Sequence, residues 1–159
     1  MTKKKLKVGW FSFTCCEDSA ILFTELLNDH FDEWKEYFDF THINILQKRR
    51  TLTDLDIAFI EGAISSKKEE EKVKEIRAQA KKVVAIGACA CIGMPSSQRN
   101  TFGPKEKEEI WFLLDRFSYA DNVRPIKDVI TIDAQVPGCP MDEKKFLEVV
   151  DTLKKEMLP

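Results

Sequence analysis

The chain has 159 residues, of which 43% are apolar and 33% charged, a composition typical of a globular protein and not of a disordered one. Its 25 basic and 27 acidic side chains give a formal net charge of −2, which provides no electrostatic reason to expect nucleic acid as a partner. No apolar run approaches the roughly 20 residues that a transmembrane helix needs. We therefore expect no membrane span, and a single domain over residues 1–159.

The first residues do not form a convincing export signal. Three lysines precede an apolar stretch, but Lys7 and Gly9 interrupt that stretch, and Glu17 and Asp18 stand where small residues would mark a cleavage site. We therefore expect a cytoplasmic protein. Because structural disulfides are rare in a reducing compartment, the five cysteines are expected to be free thiols, metal ligands or redox groups.

Apolar segments of strand length alternate along the chain with segments of helical periodicity. This alternation is typical of a parallel sheet that is covered by helices on both faces. The leading prediction is an α/β fold, a flavodoxin-like parallel sheet with strand order 2-1-3-4-5. In chain order, the predicted strands are Leu6–Phe13, Phe38–Leu46, Asp56–Ile60, Val83–Ile86 and Val129–Ile132.

Helices are predicted between these strands and after the last one. Ser66 and Glu69 form a capping box before the second helix, and Pro104 opens the third. The predicted helices are Ser19–Tyr37, Lys67–Lys82, Pro104–Phe117 and Asp142–Met157. Their apolar residues at helical spacing are Phe23, Leu27, Phe31 and Trp34 in the first helix, Val73, Ile76 and Ala80 in the second, Ile110, Leu113, Leu114 and Phe117 in the third, and Phe146, Val149, Val150 and Leu153 in the last.

Every cysteine follows the carboxyl end of a predicted strand. Cys15 and Cys16 come after the first strand. Cys89 and Cys91 come after the fourth, and Cys139 comes after the fifth. Because parallel α/β sheets bind ligands outside these strand ends, the cysteine loops are expected to converge on one site.

Convergent thiolates suit either a tetrahedral zinc ion or an iron–sulfur cluster. The sequence has no Cys-x-x-Cys pair, which structural zinc sites commonly use, and adjacent cysteines would strain a mononuclear site. A wider cubane can bind neighbouring thiolates through different irons. Gly62, Gly87 and Gly138 would allow the backbone to approach such a group and donate N–H bonds to it. A zinc-stabilised scaffold and a set of buried free thiols remain alternatives.

Other chemistries have less support. A catalytic cysteine would need a histidine partner, but His30 and His42 are both expected to be surface residues or satisfied core residues. A flavin phosphate would meet Glu17 and Asp18 in a loop that lacks glycine. The sequence also lacks Gly-x-x-x-x-Gly-Lys-Ser/Thr, so nucleoside triphosphate chemistry is not indicated.

Three motifs carry a family resemblance: Asp56–Gly62, Gly87–Ala90 and Val136–Pro140. With them, the chain resembles the small subunit of NiFe hydrogenases and the related 20 kDa subunit of respiratory complex I, over nearly its whole length. The segment Ser97–Phe102 is most similar to cytoplasmic hydrogenases such as the NAD-reducing kind. The resemblance implies an electron-transfer subunit of an oxidoreductase. It would hold one [4Fe–4S] cluster proximal to the NiFe site of a large subunit that interconverts H₂ with protons and electrons.

The resemblance also implies the cluster ligands. They carry over onto Cys16, Cys89 and Cys139. Hydrogenases have Cys-x-x-Cys in the first motif, but here Ser19 stands at the second of these positions. The adjacent pair instead resembles the tandem cysteines of the complex I subunit, which implies Cys15 as the fourth ligand. This departure leaves open an alternative function, a complex I-like redox module without nickel chemistry.

Two further residues have expected places near the cluster. Glu61 is expected either close to the cluster or the subunit boundary, or as a loop carboxylate that bonds to the following turn. Cys91 lies outside the family's position and is expected to be a packed thiol. Cys139 is the last cysteine of the sequence, so the chain is expected to carry one cluster only.

The expected partners are the large subunit and a further electron-carrier protein or subunit. Apolar loops surround the cysteines, among them Ile92–Pro95, whereas charged residues concentrate on Lys67–Lys82 and Lys105–Glu109. Apolar loops around a cofactor predict a permanent subunit interface. The sequence does not indicate the electron acceptor or the direction of the reaction.

Overall fold

Strands and helices alternate through residues 4–43, 52 and 54–158, which are the residues that the computed structural model describes. The strands are β1 (Leu6–Ser12), β2 (Phe38–Ile43), β3 (Leu55–Glu61), β4 (Ile64–Ser66), β5 (Ala80–Ile86), β6 (Tyr119–Arg124) and β7 (Ala134–Val136). The helices are α1 (Asp18–Tyr37), α2 (Lys67–Gln79), α3 (Gly87–Ile92), α4 (Pro104–Arg116) and α5 (Glu143–Met157), with short 3₁₀ turns at Gln98–Thr101 and Ile126–Asp128.

The main sheet has five parallel strands in the order β2-β1-β3-β5-β7. This confirms the predicted α/β fold and its flavodoxin-like strand order. Every residue of the central strand β3 is buried, as expected for a parallel strand that is covered on both faces. The second predicted strand is confirmed over Phe38–Ile43, and its last three predicted residues, 44–46, lie outside the described residues.

Apolar side chains form a separate layer on each face of the sheet. On one face Trp10 packs between α1 and α5, stacked on Phe23 at a ring-centroid distance of 4.4 Å. On the other face Phe11 and Ile60 pack with residues of α2. The predicted inward stripe of α5 is confirmed, as are Val73 and Ile76 of α2. Ala80 is buried too but belongs to β5, and Phe31 of α1 is exposed. These two layers fix the sheet, and the sheet fixes the positions of the loops at its carboxyl edge.

The fifth strand was predicted at the wrong residues. Val129–Ile132 forms no strand. Ile130 is buried in the α2-side core instead. The strand that pairs with β5 at this edge is Ala134–Val136. Just before it, the backbone N–H of Asp133 donates to the carbonyl of Val83. The apolar pattern favours Val129–Ile132 because this segment is more hydrophobic than Ala134–Val136. Its apolar side chains nevertheless pack against the α2-side core, and its backbone does not pair with the sheet. The correction places Cys139 three residues after the end of β7.

The predicted inward face of the helix that begins at Pro104 is also wrong. α4 has no buried residue: Ile110 and Leu114 are half-buried, and Leu113 is exposed, as is Phe117 just after the helix. This helix packs on β6 and not on the main sheet. The apolar residues of α4 recur at helical spacing, but the described part of the chain covers Ile110 and Leu114 only partly and leaves Trp111, Phe112 and Leu113 exposed.

Two elements that the sequence pattern did not indicate lie beside the cysteine edge. β4 and β6 form a two-stranded antiparallel sheet. The short helix α3 carries Cys89 directly after β5. The predicted second helix ends at Gln79 and not at Lys82, because Ala80–Lys82 already pairs with β3. Among the helices that the structure describes, none combines the length and the apolar character that a bilayer crossing requires.

Candidate metal centre

Four of the five cysteines line one cavity at the carboxyl edge of the main sheet: Cys15, Cys16, Cys89 and Cys139. The enclosed volume of the cavity is small, about 10 Å³, and the space beyond it opens to solvent. Cys89 is 6% exposed and Cys15 is half-buried, whereas Cys16 and Cys139 face the opening. The structure therefore brings together the four cysteines that the sequence singled out, from three separate loops.

Backbone hydrogen bonds hold the first cysteine loop in place. Thr14 and Ala63 exchange both N–H···O bonds, at 3.1 and 2.9 Å, so the segment before Cys15 is paired with the segment after β3. Gly62 allows this close approach. It has a φ of +92°, and a Cβ atom there would lie 2.8 Å from the carbonyl carbon of Phe13. A side chain at this position would push the two loops apart.

A second backbone bond joins the loops of Cys89 and Cys139. The N–H of Ala88 donates to the carbonyl of Gly138 at 2.7 Å. Gly87 and Gly138 both have positive φ, +79° and +112°. At Gly138 a Cβ would come within 2.6 Å of the Pro140 carbonyl oxygen, so only glycine fits this turn. Gly87 and Gly138 thus line the cavity, whereas Gly62 sets the approach of the loop before Cys15 to the segment after β3.

Ser19, which stands where hydrogenases carry a second cysteine, is a buried structural link. Its hydroxyl oxygen accepts from the N–H of Met141 at 3.1 Å, which connects the start of α1 to the turn after Cys139. The same oxygen would lie 3.0 Å from a Cβ atom at Gly87. Ser19 therefore ties the first and last cysteine loops together from within the wall of the cavity.

Glu61 caps the helix that follows the paired cysteines. Its carboxylate accepts from the N–H of Ser19 at 3.1 Å, in the first turn of α1, where Glu17 supplies no side-chain cap. Burial raises the pKa of the Glu61 carboxyl, and the Trp10 indole and the N–H groups of Ser19 and Ala20 oppose that rise. The indole nitrogen of Trp10 is buried and makes no regular hydrogen bond within the described part of the chain. Glu61 both lines the cavity and bonds the following turn, so the two expected placements are compatible.

The thiol of Cys15 is held in its protonated form when no metal is bound. Burial, and next the negative charge of Glu61, raise the pKa of the Cys15 thiol to about 12. Its S–H group lies 3.6 Å from the carbonyl oxygen of Phe13. Because metals bind thiolates, loading this site would release protons.

The remaining candidate residues lie elsewhere. Cys91 is buried in the α2-side core, where its thiol is 3.6 Å from the carbonyl oxygens of Ala85 and Val136. His42 is buried against the ring of Phe11, and His30 stacks on Trp34. Neither histidine lines the cysteine cavity.

Ser96 is a residue of the site that the sequence did not indicate. Its hydroxyl lies 3.2 Å from the sulfur of Cys89 and 3.0 Å from the carbonyl oxygen of Thr14. Nearby, the side-chain amide of Asn100 exchanges two bonds with the backbone of Val123, at 2.7 and 2.8 Å, and so attaches this loop to β6. A serine seven residues beyond a cysteine has no distinguishing spacing. Only the position of Asn100 in the family-like segment gave any signal.

The donor set fits an iron–sulfur cluster. Four thiols surround a cavity, and thiolates are the usual ligands of such clusters. Across residues 4–43, 52 and 54–158, no three His, Cys, Asp or Glu side chains, the four cysteines included, are placed closely enough to hold a metal ion. The positive-φ glycines leave the cavity wall free of side chains at Gly87 and Gly138.

Residues 15–153 match the model of one protein family, described as the NADH ubiquinone oxidoreductase 20 kDa subunit. The chain belongs to this family. Its relatives include hydrogenase subunits. Sulfhydrogenase 2 subunit delta of Pyrococcus furiosus is 22% identical over 97% of this chain and 64% of its own length. NAD-reducing hydrogenase HoxS subunit delta of Cupriavidus necator is 28% identical over 66% of this chain and 61% of its own length.

Coenzyme F420 hydrogenase subunit gamma of Methanosarcina barkeri is 27% identical over 86% of this chain and 49% of its own length. The chain thus spans about half to two-thirds of the length of these curated relatives. Among solved structures, a chain of an NAD⁺-reducing [NiFe]-hydrogenase has the same fold, with a TM-score of 0.79 at 24% identity, over 94% of this chain and 92% of that one. A Ni-Fe-Se hydrogenase chain from Desulfomicrobium baculatum matches with a TM-score of 0.68 at 15% identity, over 98% of this chain and 66% of that one.

Proposed function

We propose that this chain is the electron-transfer small subunit of a NiFe-hydrogenase-like complex and holds one [4Fe–4S] cluster through Cys15, Cys16, Cys89 and Cys139. The observation that carries the proposal is the cavity that these four thiols line at the carboxyl edge of the sheet. The family and the hydrogenase subunits among its relatives support the same conclusion. The protein would be cytoplasmic and would consist of one domain over residues 1–159.

The chain's own residues would bind, orient and shield the cluster. When bound, a [4Fe–4S] cluster supplies one-electron redox chemistry at the edge of the subunit. Cys89, the most buried of the four ligands, would anchor it, and the exposed Cys16 and Cys139 would close its outer side. The glycines Gly62, Gly87 and Gly138 keep the surrounding backbone close. Glu61 would hold the first turn of α1, and with it the Cys15–Cys16 segment, in register.

The cluster edge and the surface next to it would be covered by a large subunit that carries the NiFe site and catalyses the interconversion of H₂ with protons and electrons. Eight of the ten exposed large apolar residues that the structure describes fall within residues 92–119, from the last residue of the Cys89 helix onward: Ile92, Met94, Phe102, Trp111, Phe112, Leu113, Phe117 and Tyr119. We call these eight residues the apolar segment. Exposed apolar surface of this extent marks a binding surface, and its aromatic residues are typical anchors of a subunit interface.

The second candidate function is a complex I-like redox module whose partner lacks nickel chemistry. The observation that favours it is Ser19. Its hydroxyl bonds to Met141, so this position serves the fold and supplies no thiol, unlike the Cys-x-x-Cys arrangement that hydrogenases carry. The adjacent cysteines follow the complex I pattern. The two candidates share the cluster and differ in the metal of the partner. In either complex, a further electron-carrier protein or subunit would exchange electrons with the cluster.

Metal analysis of the co-purified complex separates these functions. The chain would be affinity-tagged, isolated anaerobically with its bound large subunit, and assayed for iron, acid-labile sulfide, nickel and zinc. We expect about four sulfides and about five iron atoms per complex, four from the cluster and one from the NiFe site, together with nickel. Iron and sulfide without nickel would favour the complex I-like module. Stoichiometric zinc without sulfide would overturn both and favour a zinc-stabilised scaffold.

A further inference from the structure

We propose that the hydroxyl of Ser96 donates a hydrogen bond to the Cys89 thiolate and thereby raises the reduction potential of the cluster. The inference rests on the proposed function, because it needs a cluster at Cys89. Ser96 lies 3.2 Å from the Cys89 sulfur, within hydrogen-bond reach for a sulfur acceptor. It lies outside the four predicted ligands, and its role would be to position and tune one of them.

The number of hydrogen atoms available to Ser96 and Cys89 decides which of the two groups donates the hydrogen bond between them. In the metal-free protein, the thiol S–H of Cys89 can donate to Ser96, while the Ser96 hydroxyl donates to the Thr14 carbonyl at 3.0 Å. Metal binding removes the thiol proton. One hydrogen then lies between two acceptors, the Thr14 carbonyl and the Cys89 thiolate. A charged acceptor makes the stronger bond, so the hydroxyl turns toward the sulfur.

Ser96 also spans two of the loops that carry cysteines. Thr14 directly precedes Cys15, and its own side chain is fixed on β4 and α2, with its hydroxyl 2.6 Å from Ser65 of β4 and 3.0 Å from a carboxylate oxygen of Glu69 of α2. These side-chain bonds of Thr14 hold its backbone carbonyl in place. Ser96 thus lies between an anchored backbone segment and the Cys89 sulfur, which leaves its hydroxyl little freedom to move away.

A hydrogen bond to a ligand sulfur favours the reduced cluster. Reduction adds negative charge that spreads onto the thiolates, so a donor to the sulfur stabilises the reduced form more than the oxidised form. Removing the donor should therefore lower the reduction potential. We expect Ser96→Ala to lower the ratio of reduced to oxidised cluster about three- to tenfold at a fixed ambient potential, where tenfold corresponds to 59 mV for a one-electron couple.

The experiment is a redox titration of the intact complex, monitored by electron paramagnetic resonance, with iron content measured on each sample. Ser96→Ala removes the hydroxyl, and Ser96→Thr retains it. Ser97→Ala is the matched control, because the Ser97 hydroxyl lies 3.2 Å from the sulfur of Met94 and away from the cysteines. The lower potential is expected in Ser96→Ala alone. If Ser96→Ala loads too little iron for a titration while the other two variants load fully, the positioning role is supported.

The outcomes are separable. A full-iron Ser96→Ala complex with the wild-type potential overturns the inference and leaves the proposed function standing. Equal shifts in Ser96→Ala and Ser97→Ala also overturn it, since a general disturbance of the loop would then explain both. A wild-type complex without any iron–sulfur signal contradicts the proposed function, and this inference with it.

Discussion

Cys89 and Cys91 are two residues apart on the same short helix, yet they face opposite environments. Cys89 lines the cavity with Cys15, whereas Cys91 packs into the core beside α2. Burial raises the pKa of the Cys91 thiol, and its S–H group lies 3.6 Å from two backbone carbonyl oxygens. A protonated, buried thiol of this kind is inert. The difference between the two residues follows from helical geometry, since positions i and i+2 point to different sides of a helix.

Substitutions of Cys89 and Cys91 should therefore have different effects on the cluster. Replacing Cys89 by Ala should abolish or convert the cluster, and the same is expected for Cys15, Cys16 and Cys139. Cys91→Ala is the matched control. It should keep full iron content and lose only about 1 kcal/mol in the free energy of unfolding, as for a small core truncation. Iron per chain and urea unfolding measure the two quantities. A Cys91→Ala protein that lost its iron would show that the ligand assignment is wrong.

Much of the site follows from residue types and spacing. Cys15, Cys16, Cys89 and Cys139 could be grouped because parallel strands bring the loops after them to one edge. Ser96 and the tie between Ser19 and Met141 could not be foreseen. Each is a single hydroxyl whose partner lies in a different loop, and such contacts depend on how the loops fold back on each other. The capping role of Glu61 likewise depends on the placement of α1 beside β3.

At the scale of elements, two acidic side chains stabilise the edge of the sheet that lies opposite the cysteines. Asp56, at the start of β3, accepts from the N–H of Lys7 in β1 at 2.9 Å and pairs with Lys81 in β5 at 2.6 Å. Asp133 accepts from the N–H of Val83 at 2.8 Å and pairs with Arg77 of α2 at 2.7 Å. Each carboxylate thus satisfies a backbone donor that the strand ladder leaves over.

Asp56 makes the acid stability of the sheet testable. Burial alone would raise the pKa of Asp56, but the bonds from Lys81 and from the Lys7 N–H outweigh it and lower the pKa below its usual value. A depressed carboxyl pKa stabilises the fold above the unfolded-state pKa of about 3.9, and this stability is lost as the pH falls through the lower folded-state value. Lys81 is largely exposed, so we assign most of the effect to the backbone bond.

We expect Asp56→Asn to lower the free energy of unfolding by about 1–2 kcal/mol at pH 7, the usual worth of a bond to a charged group. Its stability should also fall less steeply between pH 5 and pH 2 than that of the wild type. Urea unfolding at several pH values measures both effects. The control is Asp121→Asn, at an exposed position of β6. If the free energy of unfolding fell equally steeply with pH in the wild type and in Asp56→Asn, the role assigned to Asp56 would be contradicted.

The strands and helices could be predicted where their apolar residues recur at a single spacing, either that of a strand or that of a helix. The strands β1, β3 and β5 and the stripes of α2 and α5 follow directly from their apolar spacing. β7 was missed because it has only three residues, one of them buried, while the more apolar Val129–Ile132 lies next to it in sequence. The inward face of α4 was wrong because periodicity indicates that a helix has an apolar side, and does not indicate whether this chain or another covers it.

At the scale of the whole molecule, the cavity and the apolar segment lie on elements that touch one another. The 3₁₀ turn at Gln98–Thr101 packs on β6, as does α4. Arg99 stacks over the ring of Tyr119 at 5.5 Å, and the rings of Tyr119 and Phe117 lie 6.2 Å apart. The surface next to the Cys89 helix therefore continues into the exposed rings of Tyr119 and Phe117, just after the end of α4. A large subunit seated at the cluster edge would reach both.

Trp111, which is 63% exposed, is the test residue for this surface. Trp111→Ser should weaken association with a co-expressed large subunit about thirtyfold, since truncating an anchoring tryptophan commonly costs about 2 kcal/mol. Lys107→Ser, at an exposed position of the same helix, is the matched control. Co-purification yield and the dissociation constant measure the effect. We expect the wild-type chain to aggregate when it is expressed without the large subunit. A monomeric, cluster-loaded chain that ignored the large subunit would contradict it.

The central claim is that this chain holds a single [4Fe–4S] cluster at its four cavity cysteines. Quantitative electron paramagnetic resonance of the dithionite-reduced complex, purified anaerobically with iron determined on the same sample, tests it most directly. We expect about one spin and about four iron atoms per small subunit from one [4Fe–4S]⁺ centre, after any contribution from the partner is subtracted by means of the Cys89→Ala complex. A signal that survives unchanged in Cys89→Ala, or iron near eight atoms per small subunit, would contradict it.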